Sequence, residues 1–343
     1  MIHLPYVEFN ITNVCNLNCP DCVSYNNFAF RGHAVWKDWA ETYERWSRFL
    51  RIDRLAIVGG EPMLNPDFEI WTRNLSRLWP QARIQILTNG TQISKWPGLR
   101  RLLIDCAATM KISAHGHANR ARIVSKLAGV LADNAAVTYE INDHELRSWQ
   151  TSYNRIRDQS WPGCDDPRDF HELPVTIQSE CRDIHGLDAH SWLKNSWRQT
   201  WHDGDITVFV DLTDSFLPAA IRRDTERGTW TLHDSDPNKS IEVCCGRWVP
   251  TFVNGKLHKC STVALLPEFL EQFDLDISSS DRELIAAYQP AVVHDAAERI
   301  EQFVSELARG DAIAQCKFCS ESAEVGPQFE AGPKKLRFQA RSV

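Results

Sequence analysis

No run of 18 apolar residues occurs in this 343-residue chain, so no membrane span is expected. The opening stretch, MIHLPYVEFN, lacks a basic segment followed by an apolar one. That excludes a signal peptide and leads to the expectation of a cytoplasmic protein. Internal repeats and low-complexity tracts are absent. A basic surplus is absent too: 38 Lys and Arg face 45 Asp and Glu, a net charge of −7. That balance argues against a broad nucleic-acid-binding face, and the short basic tail GPKKLRFQARSV reads as solvated. With 43% hydrophobic and 24% charged residues, the composition is that of a soluble globular protein.

What the chain does have is cysteine, 11 in all. The number is odd and the chain is long, so a small disulfide scaffold is excluded. In a reducing compartment, grouped cysteines point to metal. The groups are Cys15/Cys19/Cys22, Cys244/Cys245, Cys260 and Cys316/Cys319. Cys106, Cys164 and Cys181 stand alone and read as packed small hydrophobes.

Up to residue 142, short β-branched runs alternate with helical patterns. Strands are expected at 6–12, 54–62, 82–90, 108–116 and 135–143, and helices at 36–50, 66–79, near 95–105 and near 119–132. Such alternation implies parallel βαβ units, whose binding residues gather at the C-terminal ends of the strands. The cysteine loop, Gly59-Gly60-Glu61-Pro62, Thr88-Asn89-Gly90 and Ser113-Ala114-His115-Gly116 all sit at such ends. From about 144 to 205 the pattern dissolves into a Trp/His-rich insertion. A strand is expected at 206–212, a hairpin turning at Asn254-Gly255, and helices near 281–288 and 295–308.

Three cysteines spaced four and then three apart, with no fourth beside them, do not close a structural zinc site unaided. A distant residue could complete one. Iron–sulfur chemistry suits the spacing better: three thiolates on a four-iron cluster leave one iron open to a small molecule.

The stretches VCNLNCPDC and VGGEPMLNPDF, in this order on a βα framework, resemble the radical S-adenosylmethionine (SAM) superfamily. The resemblance covers roughly residues 5–142. It implies an α/β fold: a partial (β/α)6 radical SAM barrel of six parallel strands. Cys15, Cys19 and Cys22 would hold a 4Fe-4S cluster, and Gly59, Gly60, Glu61 and Pro62 would line the SAM amino group. Ser113 resembles the serine that meets the SAM carboxylate or ribose. Arg122 is either that carboxylate's partner or a solvated helix arginine, and Asn89 either a pocket wall or a turn residue. Asp21 departs from the family, which often has an aromatic residue there; Tyr25 or Phe28 are the alternatives beside the adenine. The chemistry implied is reductive cleavage of SAM to a 5′-deoxyadenosyl radical, which takes a hydrogen from the substrate.

Cys245, Cys260, Cys316 and Cys319 form the other set. FVNGKLHKC and the C-x2-C knuckle resemble the twitch form of the SPASM auxiliary-cluster domain, a small α+β module. That implies a second, fully ligated 4Fe-4S cluster, with Cys244 as the alternative to Cys245; a four-cysteine zinc ribbon is the competing reading. The expected organisation is a core at 1–225 containing the insertion, the auxiliary domain at 240–322 and a tail at 323–343. A zinc-stapled α/β binding protein, and a one-cluster enzyme with a zinc-binding C-terminal domain, are the rival readings.

The implied enzyme oxidises, rearranges or epimerises a small-molecule, nucleoside-like or peptide substrate, with a reductant such as flavodoxin or ferredoxin. The chain has no room for a leader-binding domain before Tyr6, which favours a small or nucleoside-like substrate or a free peptide. Trp149, Trp161, Trp192, Trp197 and Trp201 are either ring-stacking surfaces or core. His115 and His117 are either pocket-facing or bystanders. No catalytic proton or hydrogen donor is assigned.

Overall fold

The first strand, β1 (Ile2–Asn10), buries Leu4, Val7 and Phe9 and is flanked by parallel partners on both sides. The computed structural model describes residues 1–19, 22–115, 122–123, 125–127, 129–131, 135–141, 197–213, 221–223, 229–244, 246–273 and 275–321. The chain divides into two compact units. One comprises Met1–Leu87, Asp105–Ala107 and Ser215–Val343; the other comprises Thr88–Ile104 and Ala108–Asp214.

In the first unit the strand order is β11-β10-β1-β2-β3. Here β2 is Leu50–Val58, β3 Arg83–Thr88, β10 Thr251–Val253 and β11 Lys256–His258. Pairings β10–β1, β1–β2 and β2–β3 are parallel, and β10–β11 is the antiparallel hairpin. Helix α1 (Trp36–Phe49) follows β1, and α2 (Phe68–Leu78) follows β2, as parallel connections require. Trp36, Tyr43 and Trp46 share one buried face of α1, which is helical spacing. Trp36 meets Trp71 of α2 edge-on at 4.8 Å.

The hairpin expected within the C-terminal segment is present, and it lies on the edge of β1. Phe9 stacks on Phe252 at 4.9 Å, with Tyr43 and Trp46 edge-on to Phe252. Its turn, Asn254-Gly255, has φ 47° and 70°. Two left-handed residues make the turn that suits a twisted two-residue hairpin. Helix α1 grips it: Trp46 Nε1 donates to the Gly255 carbonyl at 2.9 Å, and the Gly255 N–H donates to Tyr43 Oη at 3.2 Å. The other elements of this unit's C-terminal part are β8 (Ile221–Arg223), β9 (Trp230–Leu232), α4 (Pro237–Glu242), α5 (Ser261–Gln272), α6 (Ser279–Ala286) and α7 (Ala297–Arg309).

The second unit holds α3 (Leu99–Asp105), whose last residue falls in the first unit, and β4 (Ala108–His115), β5 (Ala136–Ile141), β6 (Trp197–Asp203) and β7 (Ile206–Thr213). Its strand order is β4-β7-β6-β5. This corrects the expectation of uniformly parallel strands. Strand β7, not β5, is the parallel partner of β4, while β6 runs antiparallel to both β7 and β5. The cause is local. Only Gly204 (φ 56°) and Asp205 separate β6 from β7, and so short a link permits antiparallel pairing alone. Strand β6 lies inside the stretch read as patternless, and it carries two of the candidate tryptophans, Trp197 and Trp201. Arg100 in α3's first turn pairs with Asp203 at the end of β6.

Mixed α/β architecture with parallel strands is therefore present. Among the described residues no helix is long and apolar enough to cross a membrane. The remainder of the 144–205 insertion, with Trp149, Trp161, Trp192, Cys164 and Cys181, lies outside the described residues, as do Asp21, His117, Cys245 and the tail 323–343.

Candidate active site

Beyond β1 the chain turns into the loop that carries the first three cysteines, and the Gly-Gly-Glu segment beyond β2 clasps it. The Gly60 N–H donates to the Thr12 carbonyl at 2.8 Å, and the Glu61 N–H to the Val14 carbonyl at 2.9 Å. Backbone meets backbone so closely that no side chain fits between. A Cβ on Gly60 would lie 2.3 Å from the Val14 oxygen, and one on Gly59, at φ 150°, 2.4 Å from the Thr12 oxygen. Glycine is therefore required at both positions by close approach, and at Gly59 by conformation as well.

Asn65, three residues past Pro62, closes the same corner. It is 1% exposed. Its Nδ2 donates to the Ile11 carbonyl at 2.6 Å and the Ala34 carbonyl at 3.0 Å, and its Oδ1 accepts from the Asp67 N–H at 2.8 Å. Asp67 Oδ2 in turn accepts from the Trp36 N–H at the start of α1. Asn65→Ala removes three hydrogen bonds within a buried corner. A loss of about 2–3 kcal/mol of stability is expected, readable by denaturant titration.

Within the loop Cys15 is buried, and Cys19 and Cys22 are partly exposed. The Leu17 N–H donates to Cys15 Sγ at 3.4 Å, and Cys22 Sγ donates to Asn26 Oδ1 at 3.5 Å. Asn26 Nδ2 returns to the Asn13 carbonyl at 2.5 Å, which folds the loop back on itself. Burial pushes the Cys19 thiol well up, and the neighbouring Cys22 and Cys15 push it further, so all three thiols lie within electrostatic reach of one another. Among the described residues no three His, Cys, Asp or Glu side chains converge on a single-ion site. A four-iron cluster makes a different demand, because each thiolate binds its own iron.

A second set of thiols gathers in the C-terminal part of the same unit. Cys260 caps α5, while Cys316 and Cys319 lie on and just after a short 3-10 turn (Ala314–Phe318). Burial pushes the Cys260 thiol up to about 12, with Cys244 and Cys316 adding to the rise. Cys244 and Cys316 thus each lie within electrostatic reach of Cys260. A Cβ on Gly246 would lie 3.8 Å from Cys244 Sγ and 3.9 Å from Cys260 Cβ. The Cys319 N–H donates to the Cys316 carbonyl, and Ser240 Oγ of α4 holds the Cys319 carbonyl at 3.1 Å. Cys245, preferred from sequence, is outside the described residues.

The family model described as the radical SAM superfamily matches residues 9–129, which span the thiol loop and its Gly-Gly-Glu clasp. The chain carries a radical SAM domain. A GTP 3′,8-cyclase of Erythrobacter litoralis (strain HTCC2594) is 24% identical over 255 residues, covering 70% of this chain and 68% of that protein. Another, from Moorella thermoacetica (strain ATCC 39073 / JCM 9320), is 25% identical over 159 residues, covering 41% of this chain and 49% of its own length. Among solved structures, BtrN in complex with AdoMet and 2-DOIA is similar at a TM-score of 0.39 and 12% identity, over 94% of this chain and 96% of that one.

Within the radical SAM domain, the structure brings Cys15, Cys19, Cys22, Gly59, Gly60, Glu61 and Pro62 into one unit. Glu61 is fully buried, and its Oε1 accepts from the Met63 N–H at 3.1 Å, capping the short turn that Pro62 opens. Asn89, Ser113 and Arg122 belong to the second unit. Asn89 is buried, with Oδ1 accepting from the Thr91 N–H at 2.9 Å and Thr91 Oγ1 at 2.6 Å, which is the Asx arrangement of a turn residue. Ser113 lies near the end of β4, opposite Asp211 of β7. Arg122 is exposed. Cys106 is buried, as a small packed hydrophobe should be.

Sequence reasoning missed the partners of the thiol loop. Tyr25, Phe28 and Phe30 are fully buried and pack with Leu265, Phe269 and Phe318, far along the chain. Asn13 Nδ2 donates to Glu268 Oε1 of α5 at 3.0 Å. The only local signal was the aromatic run after Cys22.

Proposed function

We propose that this chain is a radical SAM enzyme in which Cys15, Cys19 and Cys22 hold a 4Fe-4S cluster with one iron open to SAM. The observation that carries the reading is the thiol loop itself: Cys19 within electrostatic reach of both Cys22 and Cys15, on a backbone pinned by Gly60, Glu61 and Asn65. The donor set fits the group. Partial burial beside two other thiols holds the Cys19 thiol against ionisation, and bound iron would supply the charge that compensates. When bound, the cluster and SAM would supply one-electron cleavage of a sulfonium bond and a radical able to take a substrate hydrogen. The protein's own part is positioning. Gly59 and Gly60 keep side chains out of the approach to the loop, and buried Glu61 stands beside it as an acceptor for an ammonium. Asn89, Ser113 and Arg122 stay as proposed SAM contacts, with Arg122's exposure and Asn89's turn role favouring Ser113 among the three.

Residues 240–322 constitute, in this reading, an auxiliary domain whose Cys260, Cys316 and Cys319 hold a second cluster. Cys244 is the fourth ligand of choice, supported by its position beside Cys260. Lys259 is 5% exposed, and its ammonium favours the Cys260 thiolate. A cation there stabilises the more negative, reduced cluster. Lys259→Met should therefore lower the second cluster's midpoint potential by tens of millivolts, on the order expected for one charge a few bonds away, as read by EPR-monitored redox titration.

The substrate is a small molecule, with a nucleotide the first to test; the relatives named GTP 3′,8-cyclase support that choice. A reductant such as flavodoxin or ferredoxin would supply the electron. Iron, sulfide and zinc analysis after anaerobic reconstitution tests the reading. About eight iron atoms and no zinc is the expected result. About four iron atoms with one zinc would leave a one-cluster enzyme, and zinc alone would leave a zinc-stapled binding protein.

A further inference from the structure

Helix α5 starts just after Cys260 and runs beside the loop that carries the first three cysteines. Side chains tie the two together along its length. Tyr25 Oη donates to the Thr262 carbonyl at 2.9 Å, and Thr262 Oγ1 to the Val23 carbonyl at 3.4 Å. Asn13 Nδ2 donates to Glu268 Oε1. At the far end Gln272 receives the Arg31 N–H at 3.1 Å and donates to the Arg31 carbonyl at 3.0 Å.

Tyr25 stands out among these. Its N–H donates to the Cys22 carbonyl at 3.0 Å, while its hydroxyl reaches a carbonyl two residues past Cys260. It is fully buried, with its ring 4.9 Å from that of Phe269. Its backbone sits at φ 60° and ψ 15°, a left-handed conformation that a bulky residue holds only when its surroundings impose it. Glycine or asparagine would adopt that turn at less cost. The sequence instead places a tyrosine there, spanning the ligand sets of two sites.

We propose that Tyr25 is a positioning residue that couples the two thiol sites, so that occupancy of the Cys260/Cys316/Cys319 site governs how firmly the Cys15/Cys19/Cys22 site holds its iron. The inference rests on the two-site reading above. Filling the second site fixes Cys260 and the first turn of α5, which includes the Thr262 carbonyl. Through the Tyr25 hydroxyl and N–H, that fixes the Cys22 end of the loop. The Thr262 Oγ1 bond to the Val23 carbonyl runs alongside this path from the same turn, while the Asn13–Glu268 and Gln272–Arg31 ties are straps further along the helix.

A double-mutant cycle tests it. The second site is emptied by Cys316→Ala with Cys319→Ala, in the wild-type and Tyr25→Phe backgrounds of the full chain. Read out are the rate of iron loss from the first site to a chelator and the EPR line shape of its reduced cluster. In the wild-type background, emptying the second site should speed iron loss about tenfold and alter the line shape; with Tyr25→Phe the factor should fall below about threefold. Gln272→Ala, which cuts a strap at the far end, should keep the tenfold coupling. Amide exchange of residues 13–32 in the metal-free protein gives a second measure, and should quicken in Tyr25→Phe. Equal factors in both backgrounds, or coupling lost equally in Gln272→Ala, overturn the role given to Tyr25. Wild-type protein that takes up no iron overturns the two-site reading, and this inference with it.

Discussion

Cys19→Ala protein should leave anaerobic reconstitution with about four fewer iron atoms than wild type, and should cleave no SAM. The reason is valence. A four-iron cluster on three thiolates has one iron already open, and taking away a second protein ligand leaves half its irons unsupported. Cys19 sits between Cys15 and Cys22 and is coupled electrostatically to both. Among the described residues, Cys106, the one cysteine outside the two thiol sets, is buried elsewhere, and its carbonyl accepts from Ser76 Oγ. The turnover defect should exceed about a thousandfold, because the chemistry belongs to the cofactor and not to a side chain that could be partly replaced. Iron counting and a SAM-cleavage assay on the same sample check both parts. Folding should survive, since Cys19 is partly exposed and fills no core position.

Gly60→Ala should be the more damaging change to the fold. Its new methyl would lie 2.3 Å from the Val14 oxygen, 2.5 Å from the Val14 carbonyl carbon and 2.9 Å from the Cys15 nitrogen. All three are backbone atoms, so no side chain can rotate out of the way. The loop must separate from the clasp, which forfeits the Gly60 and Glu61 amide bonds as well. A loss of about 3 kcal/mol or more is expected, which for a chain of this length is about 4 °C or more in Tm. Because the displaced atoms lead directly into Cys15, iron binding at the first site should weaken with it. Gly98→Ala is the control: nothing lies within 4 Å of the added methyl, and stability should move by less than about 0.5 kcal/mol.

The parts of this protein that follow local rules were legible in its residues. The runs around Ile57 and Ile86 are β-branched and buried, and the faces of α1 and α2 repeat at helical spacing, so β1 to β4 and the helices between them could be placed. The Asn254-Gly255 turn was readable for the same reason: its geometry demands those residue types. Thiols in tight groups announced the candidate site.

What escaped depends on residues far apart in the chain. Strand β6 is rich in Trp, Arg, Gln and His and carries no alternation. It becomes a strand by pairing with β7 across a two-residue turn and with β5 on its other side. The hairpin's place on β1 rests on Phe9 meeting Phe252, more than two hundred positions away. Tyr25's left-handed backbone has no signature in SYNNF, because the forces that hold it come from Thr262 and Phe269. The choice between Cys244 and Cys245 turned on spacing alone, whereas the structure sets Cys244 beside Cys260.

The central claim is that three thiolates in the loop after β1 present an iron that binds and cleaves SAM. Formation of 5′-deoxyadenosine from SAM, by the anaerobically reconstituted protein with a chemical reductant, tests it most directly. The product is expected in wild type only when reductant is present, and not at all in Cys19→Ala. Protein with its full iron and sulfide that releases no 5′-deoxyadenosine would contradict it.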